Sequence, residues 1–149
     1  MNKTIKYIES IEEVTEIHRK TIEISGGGTD GIINLHSLKA CLEHIRNDDY
    51  YPTFVDKLTH LFFVANKSHS FLDGNKRIAI ALGMKFLINN GYLFIVQKFA
   101  EKMESVSYQL AVSRINKDLL HEIIHSIIYE EDYSEELKLK IMKAYEADL

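Results

Sequence analysis

The chain has 149 residues, 46% hydrophobic and 27% charged, which excludes a disordered segment and suits one globular domain spanning 1–149. Its net charge of -4 leaves no global basic field to hold nucleic acid or an anionic membrane. The lone cysteine, Cys41, excludes a disulfide framework and fits a reducing compartment, so the expected location is cytoplasmic.

The N-terminal residues lead into a charged amphipathic stretch rather than an apolar signal core. From Ser10, a plausible N-cap with Glu13 three residues on, the residues Ile11, Val14, Ile17, Thr21 and Ile24 recur at helical spacing. The run 25–31, Ser-Gly-Gly-Gly-Thr-Asp-Gly, breaks that pattern and reads as a loop. Leu35, Leu38, Cys41, Leu42 and Ile45 mark a second helix, which stops in the polar run 47–49. Thr53, just after the only proline, Pro52, and three residues ahead of Asp56, suits the N-cap of a third.

Residues 53–67 and 75–89 are apolar nearly all round, and helices without a polar face are buried ones, so these two are expected at the centre of the domain. The apolar run 78–88 is interrupted by Gly83 and Lys85 and is too short to span a bilayer. Asn90-Gly91 suits a left-handed helix end, and Tyr92 to Val96 is a short β-prone run. Three more helices are expected over 99–112, 117–129 and 134–147. The fold class is all-α, with at most a short hairpin near the glycines or around Tyr92.

Four constellations carry chemistry. Residues 26–31 spell G-x-G-x-x-G, but the dinucleotide fingerprint needs a strand before it and a helix opening at its last glycine, and neither is expected here. His121-Glu122-Ile123-Ile124-His125 spells H-E-x-x-H on a helix, where two histidines on one face bind zinc and the glutamate acts as base. A zinc peptidase also needs a third ligand, nominally Glu130 or Glu146, and the neighbouring isoleucines place the histidines at the wet edge of an apolar face. Ser126 to Glu131 ends that helix in solvated acids.

The fourth constellation is His69-Ser70-Phe71-Leu72-Asp73-Gly74-Asn75-Lys76-Arg77, set between the two most apolar helices. An Asp-Gly-Asn triplet alone is a turn, but here His, Asp, Asn, Lys and Arg crowd into nine residues on a rigid scaffold. Backbone N–H groups from Gly74 to Arg77 open the next helix and form an anion site, to which Lys76 and Arg77 add cationic donors. Asp73 suits Mg²⁺, which prefers one or two carboxylates with phosphates and water. His69 is the side chain whose ordinary pKa suits a general base near neutrality, while Phe71 is expected to point into the core and lock the loop. This reads as phosphoryl or nucleotidyl transfer.

The same residues resemble the signature H-x-F-x-[D/E]-[G/A]-N of the Fic/Doc (Fido) family, unbroken from His69 to Asn75, and Lys76-Arg77 continue it as in the death-on-curing (Doc) branch. Glu13 to His18, Gly26-Gly27, Gly31, Phe86-Leu87, Asn90-Gly91, Ala111-Val112 and Ile115 extend the likeness over about 10–129, with 130–149 a C-terminal extension. The resemblance implies an all-helical Fido fold, ATP and Mg²⁺ as cofactors, and transfer of part of a nucleotide to a hydroxyl of a protein. It implies His69 as catalytic base, Asp73 as metal residue, Gly74, Asn75, Lys76 and Arg77 as phosphate cradle, and the loop 27–34 as a flap aligning the target. Adenylylating relatives have glycine where this chain has Lys76 and a second arginine where it has Ile80. Those departures favour a Doc-like toxin that delivers the γ-phosphate of ATP to a Ser or Thr hydroxyl, with elongation factor Tu the suggested target and a separate antitoxin the suggested inhibitor. Protein adenylylation is the alternative. Ser126 to Glu131 nearly matches the family's inhibitory [S/T]-x-x-x-E-[G/N], but Ile80 stands where the glutamate's arginine partner would be.

Overall fold

The computed structural model describes residues 4–24 and 31–146. Seven α-helices follow one another within them: α1 (Ile11–Ile24), α2 (His36–His44), α3 (Phe54–Lys67), α4 (Asn75–Asn89), α5 (Val96–Ala111), α6 (Lys117–Tyr129) and α7 (Glu135–Tyr145). The domain is all-α, and no strand occurs among the described residues. None of the described helices is long and apolar enough to cross a membrane.

Helix starts follow local chemistry. The Ser10 hydroxyl accepts the Glu13 N–H, while the Glu13 carboxylate reaches back to the Glu9 N–H. Thr53 and Asp56 form a complete capping box at the start of α3, each side chain accepting the other's backbone N–H. Asn116 and Ser134 cap α6 and α7 in the same manner, without the reciprocal bond. The end of α4 is also where it was expected, with Gly91 at φ 85°.

Helices α3 and α4 form the centre, against which α1, α2, α5 and α6 pack. Leu58, Leu61, Phe62 and Ala65 of α3 and Ile78, Ala79, Leu82 and Phe86 of α4 are fully buried. Gly83 is required by that packing: a Cβ there would sit 2.7 Å from the Phe99 ring, so α5 lies closer to α4 than an alanine would allow. Helix α7 contributes Leu137 to the core, packs Ile141, Ala144 and Tyr145 partly buried against it, and turns its remaining side chains outward along α6.

Two local expectations are corrected, and a third falls largely outside the described residues. Tyr92 to Val96 is not extended: Leu93–Ile95 is a 3-10 turn leading straight into α5, which starts at Val96 rather than Phe99. Tertiary packing decides this, because Ile95 and Phe99 are both buried while Leu93 and Phe94 face outward, a spacing that suits a helical approach. The hairpin near the glycines is, among the described residues, one isolated antiparallel bridge, Ile32 with Phe71. Residues 25–30 lie outside the described residues. Finally, α1 buries Val14, His18 and Ile22, not the stripe through Thr21 and Ile24, and Ile24 is 86% exposed.

Candidate active site

The site is built where α3 stops and α4 starts. At the end of α3, Lys67 donates to the Leu110 carbonyl at 3.0 Å and to the Ser113 hydroxyl at 2.6 Å, fastening the helix to the end of α5. The chain then turns sharply, with His69 at φ 50°, a left-handed conformation uncommon outside glycine. The turn leaves the His69 side chain exposed and sends Ser70 and Phe71 inward. Phe71 is 1% exposed, as expected of a residue that locks the loop.

Main-chain bonds tie this loop to the segment after the glycines. The Ser70 carbonyl accepts the N–H groups of Ile33 and Asn34 at 2.8 and 3.1 Å, and the Leu72 N–H donates to the Gly31 carbonyl at 2.9 Å. The described end of the glycine loop is therefore seated on the motif. Ile32 and Ile33 remain more than half exposed.

Helix α4 opens at Gly74, which has φ 79° and ψ 17° and supplies no capping side chain. The side chain of Asn75 does not cap either, because it folds back onto Phe71, accepting its N–H at 3.2 Å and donating to its carbonyl at 2.9 Å. Asn75 thus closes the loop, and what it offers an anion is its backbone N–H. Among the described residues no side chain caps the first turn of α4, so its first N–H groups suit an anion. The Asp73 carboxylate sits beside this turn, accepting the Gly74 N–H at 2.7 Å and lying 3.6 Å from the Arg77 guanidinium, with half of its surface open to solvent. Lys76 is exposed, and its carbonyl accepts the Ser107 hydroxyl at 3.1 Å. Buried Asn66 holds that serine in turn, donating to its oxygen at 2.9 Å. The fold therefore brings His69, Asp73, Gly74, Asn75, Lys76 and Arg77 into one loop and helix start, braced from behind by α1 and α5.

A family model described as the Fic/DOC family matches residues 8–87, more than half of the chain. The chain belongs to that family. No curated protein and no solved structure gives a significant match. Fic/DOC members are typically protein-modifying transferases and generally use ATP with Mg²⁺. The residues at the Fic/DOC loop fit those groups. One half-open carboxylate suits a hard cation shared with phosphates, and two cationic side chains with the first N–H groups of α4 suit the phosphates themselves.

The second histidine motif is arranged differently. The ring of His121 bonds the Asp56 carboxylate at 2.8 Å, Glu122 pairs with Lys140 at 2.9 Å, and His125 is exposed beside the Tyr129 ring. Among the described residues no group of three His, Cys, Asp or Glu side chains could hold a metal. Burial would raise the Asp56 carboxyl, but bonds from Thr53 and then His121 hold it below the usual range. Nearby, burial and the Lys117 charge push the His60 imidazole down to about 4, and Lys117 lies 2.7 Å from its Nδ1. At the end of α6, Glu130 is exposed and held by its main chain: its N–H donates to the Ser126 carbonyl at 2.9 Å and its carbonyl accepts Lys98 at 2.7 Å.

Sequence reading missed His18, Asn66 and Ser107. His18 had a signal in the spacing of Val14, His18 and Ile22, which places it on the buried face of α1. Asn66 and Ser107 had none, because they lie 41 residues apart and meet only through the fold.

Proposed function

We propose that this chain is a Doc-type protein kinase, moving the γ-phosphate of ATP to a Ser or Thr hydroxyl of a protein. The observation that supports phosphoryl over adenylyl transfer is the first turn and a half of α4. Lys76 stands, exposed and charged, where adenylylating relatives have glycine, and Ile80 is packed half-buried against the core where they have a second arginine.

In this reading His69 accepts the proton of the target hydroxyl as its oxygen attacks the γ-phosphorus. The bond from that phosphorus to the bridging oxygen breaks and ADP leaves. Arg77, Lys76 and the first N–H groups of α4 hold the phosphates in place and offset the charge that builds on them. Asp73 would hold Mg²⁺, which when bound neutralises charge on the phosphates. The segment 31–34, seated on the motif loop, would align the target chain. A translation factor, elongation factor Tu, is the target the resemblance suggests, and an antitoxin segment folding onto the toxin is its suggested restraint.

Incubation with a cell lysate and ATP labelled at the α- or the γ-phosphate tests this. Label carried from γ alone onto a protein band is the expected result, and label from α would replace the kinase by an adenylyltransferase.

A further inference from the structure

We propose that His18 of α1 is a positioning residue that sets the direction of the Asp73 carboxylate by holding the Asp73–Gly74 peptide. That Asp73 serves a metal rests on the function proposed above; the geometry of the peptide does not.

Three observations converge. His18 is 1% exposed, and a buried imidazole must place its polar atoms. Its Nε2 lies 2.7 Å from the Asp73 carbonyl, across 55 residues of chain. A carbonyl can only accept, so Nε2 carries the hydrogen. The ring also lies nearly parallel to Phe71, with centroids 3.7 Å apart and planes within 9°, whereas the stacked phenylalanine and tyrosine pairs of the core lie at 4.8 to 6.1 Å. The imidazole is held by its face and spends its edge on one carbonyl.

The consequence follows from peptide geometry. In a trans peptide the C=O and the next N–H point in opposite directions. With the Asp73 carbonyl drawn toward α1, the Gly74 N–H faces away from it, and there it donates to Asp73 Oδ1 at 2.7 Å. The carboxylate is thereby kept on the side of Arg77 and the start of α4. Gly74 cannot enforce this alone, since glycine adopts positive and negative φ about equally readily and its φ of 79° is one of several it could take. The neighbouring space is closed by the same helix: a Cβ on Gly74 would lie 2.8 Å from Ile22 Cδ1 and 3.3 Å from His18 Nε2.

The test separates packing from positioning in the full chain. His18→Phe keeps an aromatic ring against Phe71 but removes the N–H; His18→Gln restores an N–H donor without the ring. The Gly74 amide proton resonance and its exchange rate report the bond to Asp73 whatever the enzyme does. His18→Phe is expected to keep a cooperative thermal transition, to move the Gly74 resonance and speed its exchange, and to weaken Mg²⁺-dependent ATP binding by about 10- to 100-fold. His18→Gln is expected to recover much of both. An unchanged Gly74 amide and unchanged Mg²⁺–ATP affinity in His18→Phe would overturn the proposal. So would losses in both variants that merely follow their melting temperatures, or a failure of both to fold, because His18 would then be a core residue only. If the parent binds no Mg²⁺–ATP, the functional reading fails, and the Gly74 amide still decides the role of His18.

Discussion

The loop 69–77 and the segment 121–125 present two histidine motifs of similar chemical promise, and the fold treats them in opposite ways. Around the first, α1, α5 and the end of the glycine loop converge, supplying bonds from His18, Ser107, Ile33 and Asn34 to its main chain. The side chains proposed for chemistry are thereby left to face solvent: His69 and Lys76 are exposed, and Asp73 is half open. Around the second, neighbours bond to the side chains themselves, with Asp56 on His121 and Lys140 on Glu122. Where the fold braces the backbone, functional groups stay available; where it consumes the side chains, the motif is part of the scaffold.

The comparison breaks most visibly at His69. With His69 as the proposed base, His69→Ala is expected to lower the rate by about 10²- to 10⁴-fold while ATP binding persists. Asp73→Ala should do the reverse in kind, weakening ATP binding chiefly in the presence of Mg²⁺. Titration calorimetry of each variant, with and without Mg²⁺, distinguishes the two roles. Loss of ATP binding in His69→Ala would remove it from the base role.

A smaller effect is expected from disturbing the bracing. Gly74→Ala places a side chain at φ 79° and against Ile22, so it should cost about 1–2 kcal/mol, or roughly 2–8 °C in Tm. Differential scanning calorimetry measures this, and an unchanged Tm would mean that α1 yields without cost.

The middle of α3, away from the motif loop, should answer to pH rather than to substrate. His60 is held neutral, with its pKa pushed down to about 4 from an ordinary 6.5, chiefly by burial and then by Lys117 and His44. Between those values the unfolded chain binds a proton that the folded one does not, so stability is full above pH 6.5 and falls as pH drops towards 4. Urea unfolding across that window should show a shallower slope in His60→Gln. An identical slope would mean that other groups carry the acid limb.

The smallest effects sharpen the contrast by their absence. His121→Ala and Glu130→Gly should each leave transfer within about twofold of the parent, since surface ion pairs contribute little and the Glu130 carboxylate is exposed. A large loss in His121→Ala would return the zinc peptidase to consideration. A several-fold gain in Glu130→Gly would show that the C-terminal segment restrains the enzyme.

Much of this molecule is local and therefore legible in order along the chain. The capping pair Thr53 and Asp56, the left-handed stop at Gly91 and the nearly all-round apolar character of α3 and α4 are each set by a few adjacent residues. The motif was legible for the same reason, since its chemistry is concentrated between His69 and Arg77. What the tertiary structure decided is how those residues are aimed. Leu93 to Ile95 has the composition of a strand, yet it turns because Ile95 and Phe99 must both reach one core. Asn75 belongs to the motif, yet its side chain is turned back onto Phe71. His18 gains its buried partner only through the fold, in the Asp73 carbonyl 55 positions away. A hydrogen bond to a distant carbonyl leaves no periodic trace in sequence, because both its direction and its strength come from the burial that only the folded chain provides.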